Sequence, residues 1–103
     1  MGRKKAVATL EEVKEILIEH KSELIEKYKI KELGIFGSFV RGEQKKRSDV
    51  DILVEYYEVP DLFELIALER HLSRLIRKKV DLVRKGGIRK ELKEKILKEV
   101  VPL

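Results

Sequence analysis

The sequence predicts a small α/β (α+β) domain, with a mixed sheet of about three strands packed with helices. Three observations predict it. Apolar residues recur at helical spacing in three stretches, and three short Val/Ile-rich runs fall between them. The two kinds of segment alternate along the chain, an order that lets helices cover a sheet.

Thr9-Leu10-Glu11-Glu12 reads as a capping box, with Thr9 as N-cap and Glu12 three residues on. Leu10, Val13, Ile16, Leu17, Leu24 and Tyr28 then give an apolar stripe, so the first helix is placed at about 9–28. Leu33-Gly34-Ile35-Phe36 is a short apolar strand that Gly37 ends, and Ser38 begins a turn able to open a short helix through Val40. Gly42 to Arg47 is polar and aperiodic, and is expected to be a mobile loop. Asp49 to Glu55 reads as the second strand. Asp61 with Glu64 forms a second capping box, opening a helix whose apolar stripe of Leu62, Leu65, Leu68, Leu72, Leu75 and Ile76 carries it to about Arg77. Val80-Asp81-Leu82-Val83 is the third strand, Gly86-Gly87 a turn, and a last helix runs from about Ile88 with Leu92, Ile96 and Val100 on one face, stopping before Pro102. Residues 1–8, with Arg3, Lys4 and Lys5, read as a flexible basic tail, leaving 9–103 as a single domain.

The chain has 103 residues, enough for one core. Its net charge of +5, from 24 Lys and Arg against 19 Asp and Glu, favours anionic partners such as nucleotides and leaves nucleic acid open. Absence of cysteine excludes a disulfide framework and a thiolate metal site. No apolar run reads as a signal peptide or a membrane span, so a cytoplasmic protein without membrane attachment is expected. Abundant Lys and Glu with no Cys and two Pro fit a thermophile.

The chemistry concentrates in three places. Asp49 and Asp51 stand two apart on a strand, so both carboxylates face one side while Val50, Ile52 and Val54 face the other. Like charges so placed call for a cation, and Mg²⁺, which takes oxygen ligands, suits them. Asp81 interrupts the third strand; if that strand neighbours the second, three carboxylates can ligate one or two ions, and Asp81 can take a proton from an attacking hydroxyl. The alternative for Asp81 is a strand-end acid paired with Arg77 or Arg84. Gly37 and Ser38, at a strand-to-helix junction, suit phosphate binding, and Arg41 could add a guanidinium or be a surface charge. No Gly-Lys-Ser/Thr follows a glycine-rich loop, so a Walker-type site is unsupported. Lys45-Lys46-Arg47 reads as a solvated loop, His20 and His71 as partly buried structural residues, and Tyr56-Tyr57 as strand-end packing rather than a base-stacking platform.

Gly37-Ser38, ten residues, then Asp49-Val50-Asp51 resembles the signature of the DNA polymerase β-like nucleotidyltransferase superfamily, and residues 37–54 resemble its minimal branch, MNT. The resemblance runs through Asp81 to the final helix. It implies the polymerase β-like nucleotidyltransferase fold, with Gly37 and Ser38 as the phosphate turn, Asp49 and Asp51 as the metal pair, Asp81 as the third acid, and Arg41, Gly42 and Ser48 in supporting roles. It further implies an Mg²⁺-dependent enzyme that moves AMP from ATP to a protein hydroxyl, a tyrosine of a HEPN-domain toxin, and so acts as antitoxin. The short chain lacks an added domain for a small acceptor, which turns the expectation toward a protein one. Two other readings stay open: an antitoxin that neutralises by binding alone, and transfer to nucleic acid or a small molecule. A surface-exposed active face implies a partner, whether the HEPN protein or a second copy of the chain.

Overall fold

A computed structural model describes residues 7–103. The elements are α1 (Leu10–Tyr28), β1 (Ile30–Phe36), α2 (Ser38–Arg41), β2 (Val50–Tyr56), α3 (Leu62–Ile76), β3 (Val80–Arg84), a 3-10 turn (Lys85–Gly87), α4 (Lys90–Glu99) and β4 (Val101–Pro102). Both capping boxes form. The Thr9 hydroxyl accepts from the Glu12 amide while the Glu12 carboxylate accepts from the Thr9 amide, and Asp61 and Glu64 do the same for α3. Each cap is worth about 1 kcal/mol and fixes where its helix begins. Lys29 and Arg77 close the two helices in left-handed backbone and turn the chain into β1 and toward β3.

The strands form one mixed sheet in the order β3-β2-β1-β4. β1 runs antiparallel to β2 and to β4, whereas β2 and β3 are parallel, joined through α3. One sheet face carries Ile30, Ile35, Val50, Ile52, Val54 and Val80, which pack with Val13, Leu17 and Leu24 of α1 and Leu68, Leu72 and Ile76 of α3. These side chains leave water almost completely, at about 2 kcal/mol of hydrophobic stabilisation each. Alternation sends Asp51, Leu53 and Glu55 to the opposite face. There Leu97 and Val100, at the end of α4, line a cleft with Gly34 and Leu53.

Four differences from the sequence reading have physical causes. The sheet has four strands, not about three: Val101–Pro102 pairs with Ile35 and Gly34, too short a segment to show periodicity, with its proline on a sheet edge where no ladder amide is needed. Gly34 makes room for it, since a Cβ there would lie 2.6 Å from Val100 Cγ2. The last helix starts at Lys90 rather than Ile88, Leu92 is exposed, and Val100 is its C-cap. Leu62, read as part of the core stripe of α3, is 68% exposed, as is its neighbour Phe63 at 81%, so the stripe is buried only from further along the helix, at Leu68, Leu72 and Ile76. Lastly, Val7 and Ala8, read as the end of the tail, are docked: Val7 joins the core, and Ala8 bonds to Glu12 and Gln44. Arg3, Lys4 and Lys5 lie outside the described residues.

Candidate active site

The sheet register assembles the acids. β2 and β3 are parallel neighbours with Asp51 level with Asp81, so the two carboxylates emerge side by side on the open face, strands about 4.8 Å apart. Asp49 is the residue before β2 rather than part of it, and its Oδ2 lies 3.9 Å from Lys79 Nζ, at the matching approach to β3. The Val50 amide donating to the Lys79 carbonyl at 2.9 Å ties the two approaches together. Asp81 is exposed, because β3 is an edge strand rather than the buried one its apolar neighbours suggested. Of the two arginines weighed as its partner, Arg84 lies along the Gly86–Gly87 turn instead.

On the other side of Asp51 stands β1, with Phe36 opposite Asp51, so Gly37 follows directly beside the carboxylate. Gly37 has φ +82°, a left-handed conformation open to glycine, and a Cβ there would lie 2.0 Å from Asp51 Oδ2. Only a bare backbone can bring the turn this close. α2 then begins at Ser38, pinned by the buried Phe39 and closed by Gly42, whose neighbour Glu43 donates its amide to the Ser38 carbonyl at 2.9 Å. The loop to β2 is braced by Ser48, whose hydroxyl accepts from the Lys45 amide at 2.7 Å, while Lys45, Lys46 and Arg47 are exposed, as read.

Partial burial, then the neighbouring Asp81 and Asp49 carboxylates, push the Asp51 carboxyl up to about 6, with Arg41 pulling the other way. The cluster is therefore short of positive charge, and its donors are the carboxylate oxygens that Mg²⁺ prefers. The chemistry of the set fits a divalent ion. It is not a closed cage: among the described residues no three acidic or histidine side chains already stand together as a metal site, consistent with Asp49 leaning toward Lys79.

Arg41, weighed as a phosphate contact or a surface charge, is engaged by two carboxylates. Its Nη1 bonds both oxygens of Glu99 at 3.0 and 2.9 Å, and its Nε bonds Glu43 at 2.8 Å. Glu99 also accepts from the Gly37 amide. Sequence reading missed Glu99. A signal for it existed: an acid in the last turn of a helix faces the negative end of the dipole and needs a cation nearby. Tyr56 ends β2, five residues beyond Asp51 and about 17 Å along the strand, too far to stack on a base at the acids, and Tyr57, just past the strand, is 71% exposed rather than packed. His20 and His71 are both partly buried, as read, His71 Nδ1 lying 2.8 Å from the Tyr28 hydroxyl.

The nucleotidyltransferase domain family matches residues 17–103. The chain belongs to that family, in its minimal branch. The protein adenylyltransferase MntA of Thermococcus cleftensis is 48% identical over 96 residues, 93% of this chain and 97% of that protein. A solved minimal nucleotidyltransferase superposes with a TM-score of 0.73 at 29% identity, over 88% of this chain and 95% of that one. The MNT antitoxin fold in the complex with a tri-AMPylated HEPN toxin from Shewanella oneidensis is shared at a TM-score of 0.66 and 18% identity, over 87% and 70% of the two chains. This minimal nucleotidyltransferase therefore has the polymerase β-like architecture that residues 37–54 suggested. Among its described residues no helix is long and apolar enough to cross a membrane.

Proposed function

We propose that the enzyme transfers AMP from ATP to a tyrosine hydroxyl of a HEPN-domain toxin and thereby silences it. The observation that carries the reading is the level pairing of Asp51 with Asp81, with the Gly37 backbone lying directly against Asp51. The name and 48% identity of the Thermococcus relative support protein adenylylation, and the shared fold of the HEPN-bound antitoxin supports the partner class.

In this reading the turn at Gly37 and Ser38 seats the triphosphate, the Ser38 hydroxyl donating to a phosphate oxygen while the Gly37 amide stays bonded to Glu99. Asp49, Asp51 and Asp81 would hold one or two Mg²⁺ ions, whose positive charge would offset the negative charge of the triphosphate. The tyrosine oxygen attacks the α-phosphorus, the bond to the β-phosphate oxygen breaks, and pyrophosphate leaves. Asp81, the exposed acid, receives the hydroxyl proton, since it is the carboxylate a bulky protein acceptor reaches from outside. Arg41 orders the phosphate turn rather than gripping phosphate itself, because two carboxylates already engage it.

The test mixes the protein with labelled ATP, Mg²⁺ and the product of the neighbouring gene, and follows label and partner mass. An AMP-sized gain that disappears in Asp49→Asn and Asp51→Asn is the expected result. Neutralisation by those variants with no mass gain would replace modification with binding alone. Label on RNA or a small acceptor would move the activity to another substrate class.

A further inference from the structure

We propose that Glu99 is a positioning residue of this site, holding the phosphate turn in register with Asp51; the inference rests on the nucleotide-transfer reading above. The backbone dictates the contact. β4 pairs Val101 with Ile35 and Pro102 with Gly34, antiparallel. Continued by two residues, that register sets Glu99 opposite Gly37. The chain is in position there because α4 stops at Glu99, with Val100 in extended backbone as its C-cap. Beyond β4, the Leu103 amide donates to the Leu33 carbonyl at 3.0 Å, and Lys21 Nζ donates to the Leu103 carbonyl at 2.6 Å. The end of the chain is thus fastened to β1 and α1, and Glu99 is delivered to the turn by a fixed frame.

One oxygen does two jobs there. Glu99 Oε1 accepts from both the Gly37 amide and Arg41 Nη1, while Oε2 accepts from Nη1 alone. The side chain is 15% exposed, so these bonds are made largely out of water. Gly37 cannot shift toward Asp51, whose carboxylate leaves no room even for a methyl group at its Cα. Nor can it shift away while Glu99 holds its amide. The turn is clamped between the two acids, and Ser38, next in the chain, is oriented by the clamp. Arg41 is its second anchor, at the far end of α2. Glu99 touches no substrate in this account; it acts through Gly37 and Arg41.

Because the working contact is an acceptor at a set distance, shape matters more than charge. Glu99→Gln keeps an Oε1 acceptor for both Gly37 and Arg41 and gives up only the second bond to Nη1, since its amide nitrogen replaces Oε2. Glu99→Asp keeps the charge but draws the carboxylate back by one methylene. Titrating each variant with a non-hydrolysable ATP analogue and Mg²⁺, and measuring the rate of AMP transfer to the HEPN protein, separates the two. With melting temperatures as the control for folding, the Gln variant should bind and react within about threefold of the parent. The Asp and Ala variants should bind the analogue on the order of tenfold more weakly and turn over on the order of a hundredfold more slowly, the loss expected for a misplaced reacting group. Should Glu99→Ala fail to fold, the Gln–Asp comparison still decides. An Asp variant equal to the parent beside an impaired Gln variant would overturn the proposal in favour of a simple ion pair with Arg41, and three unchanged variants would overturn it outright. If the parent binds the analogue but labels no partner, the protein-adenylylation reading falls. The affinity order of Gln over Asp then still tests Glu99.

Discussion

Asp51→Asn should make this protein more stable while abolishing its chemistry. The fold holds the Asp51 carboxyl at about 6 against an ordinary 3.8, chiefly through burial and then through Asp81 and Asp49. Each pKa unit corresponds to about 1.4 kcal/mol, so roughly two units amount to about 3 kcal/mol without screening. Asp51 is partly open to solvent, which reduces the expected gain to about 1 kcal/mol, or roughly 4–8 °C in melting temperature for a domain of this size. The sign follows from proton linkage. A carboxyl whose pKa is raised by folding binds its proton more tightly in the native state, so the wild type loses stability as pH climbs from about 3.8 to about 6, and stays lower above that. Asn cannot ionise. The variant's advantage should therefore be absent near pH 3.8, open through that window and level off by pH 7. Urea titrations of both proteins between pH 4 and 7.5, with chelator present, measure the gap directly. Millimolar Mg²⁺ should narrow it at pH 7, since a cation between the acids stabilises only the ionised set. A variant less stable than wild type at pH 7, or a gap of the same size at every pH, would refute the strained-carboxylate account.

The remaining predictions test the turn and two tyrosine hydroxyls. Gly37→Ala forces a side chain into left-handed backbone and against Asp51 Oδ2, so it should cost about 1–3 kcal/mol in chemical denaturation and remove AMP transfer; an active, equally stable variant would show that the turn tolerates a side chain. Tyr56 has a buried hydroxyl with no hydrogen-bond partner among the described residues, and a phenol pushed up to about 12, first by burial and then by Glu64. Tyr56→Phe should accordingly leave stability unchanged or raise it by about 1 kcal/mol, without touching activity; a clear loss would mean that the hydroxyl is bonded after all. Tyr28→Phe removes the partner of His71, whose imidazole is held below its ordinary pKa by burial first and by Lys27 next, and should cost about 1 kcal/mol at pH 8. In the wild type, proton uptake by His71 opposes folding, so stability should fall as pH drops below 6.5, and a His71→Gln variant should lack that part of the fall.

What the sequence made legible was local. Thr9 with Glu12 and Asp61 with Glu64 are complete capping boxes within four residues, and both helices begin where those boxes say. Val50, Ile52 and Val54 alternate with the acids, and that alternation by itself sends Asp51 to the face away from the core. Gly37-Ser38 and Asp49-Val50-Asp51 are likewise contiguous signals, and the resemblance they carried gave the family. Asp81 was legible as an acid in a strand. Its position level with Asp51 was not, because that depends on β3 pairing with β2 in parallel, a relation only the whole chain decides.

What was not legible depends on contacts between distant residues. Arg41, left open between a phosphate contact and a surface charge, has a partner that no local pattern showed, because Glu99 lies 58 residues away and is carried to it by β4, a strand of two residues. Leu62 looked like core because helical spacing says which residues share a face, not whether the sheet extends far enough to cover it. Glu99 itself left a trace in the sequence, since an acid closing a helix opposes the helix dipole and is otherwise an unfavourable choice. In this fold the cost is offset by an amide and a guanidinium from the phosphate turn, and it falls where a nucleotidyltransferase needs its backbone held still. A residue that breaks a local rule and is compensated at a site is stronger evidence of function than one that merely obeys its surroundings. By that measure Glu99 belongs with Asp51, an acid pressed against acids, rather than with the nineteen carboxylates' solvated majority.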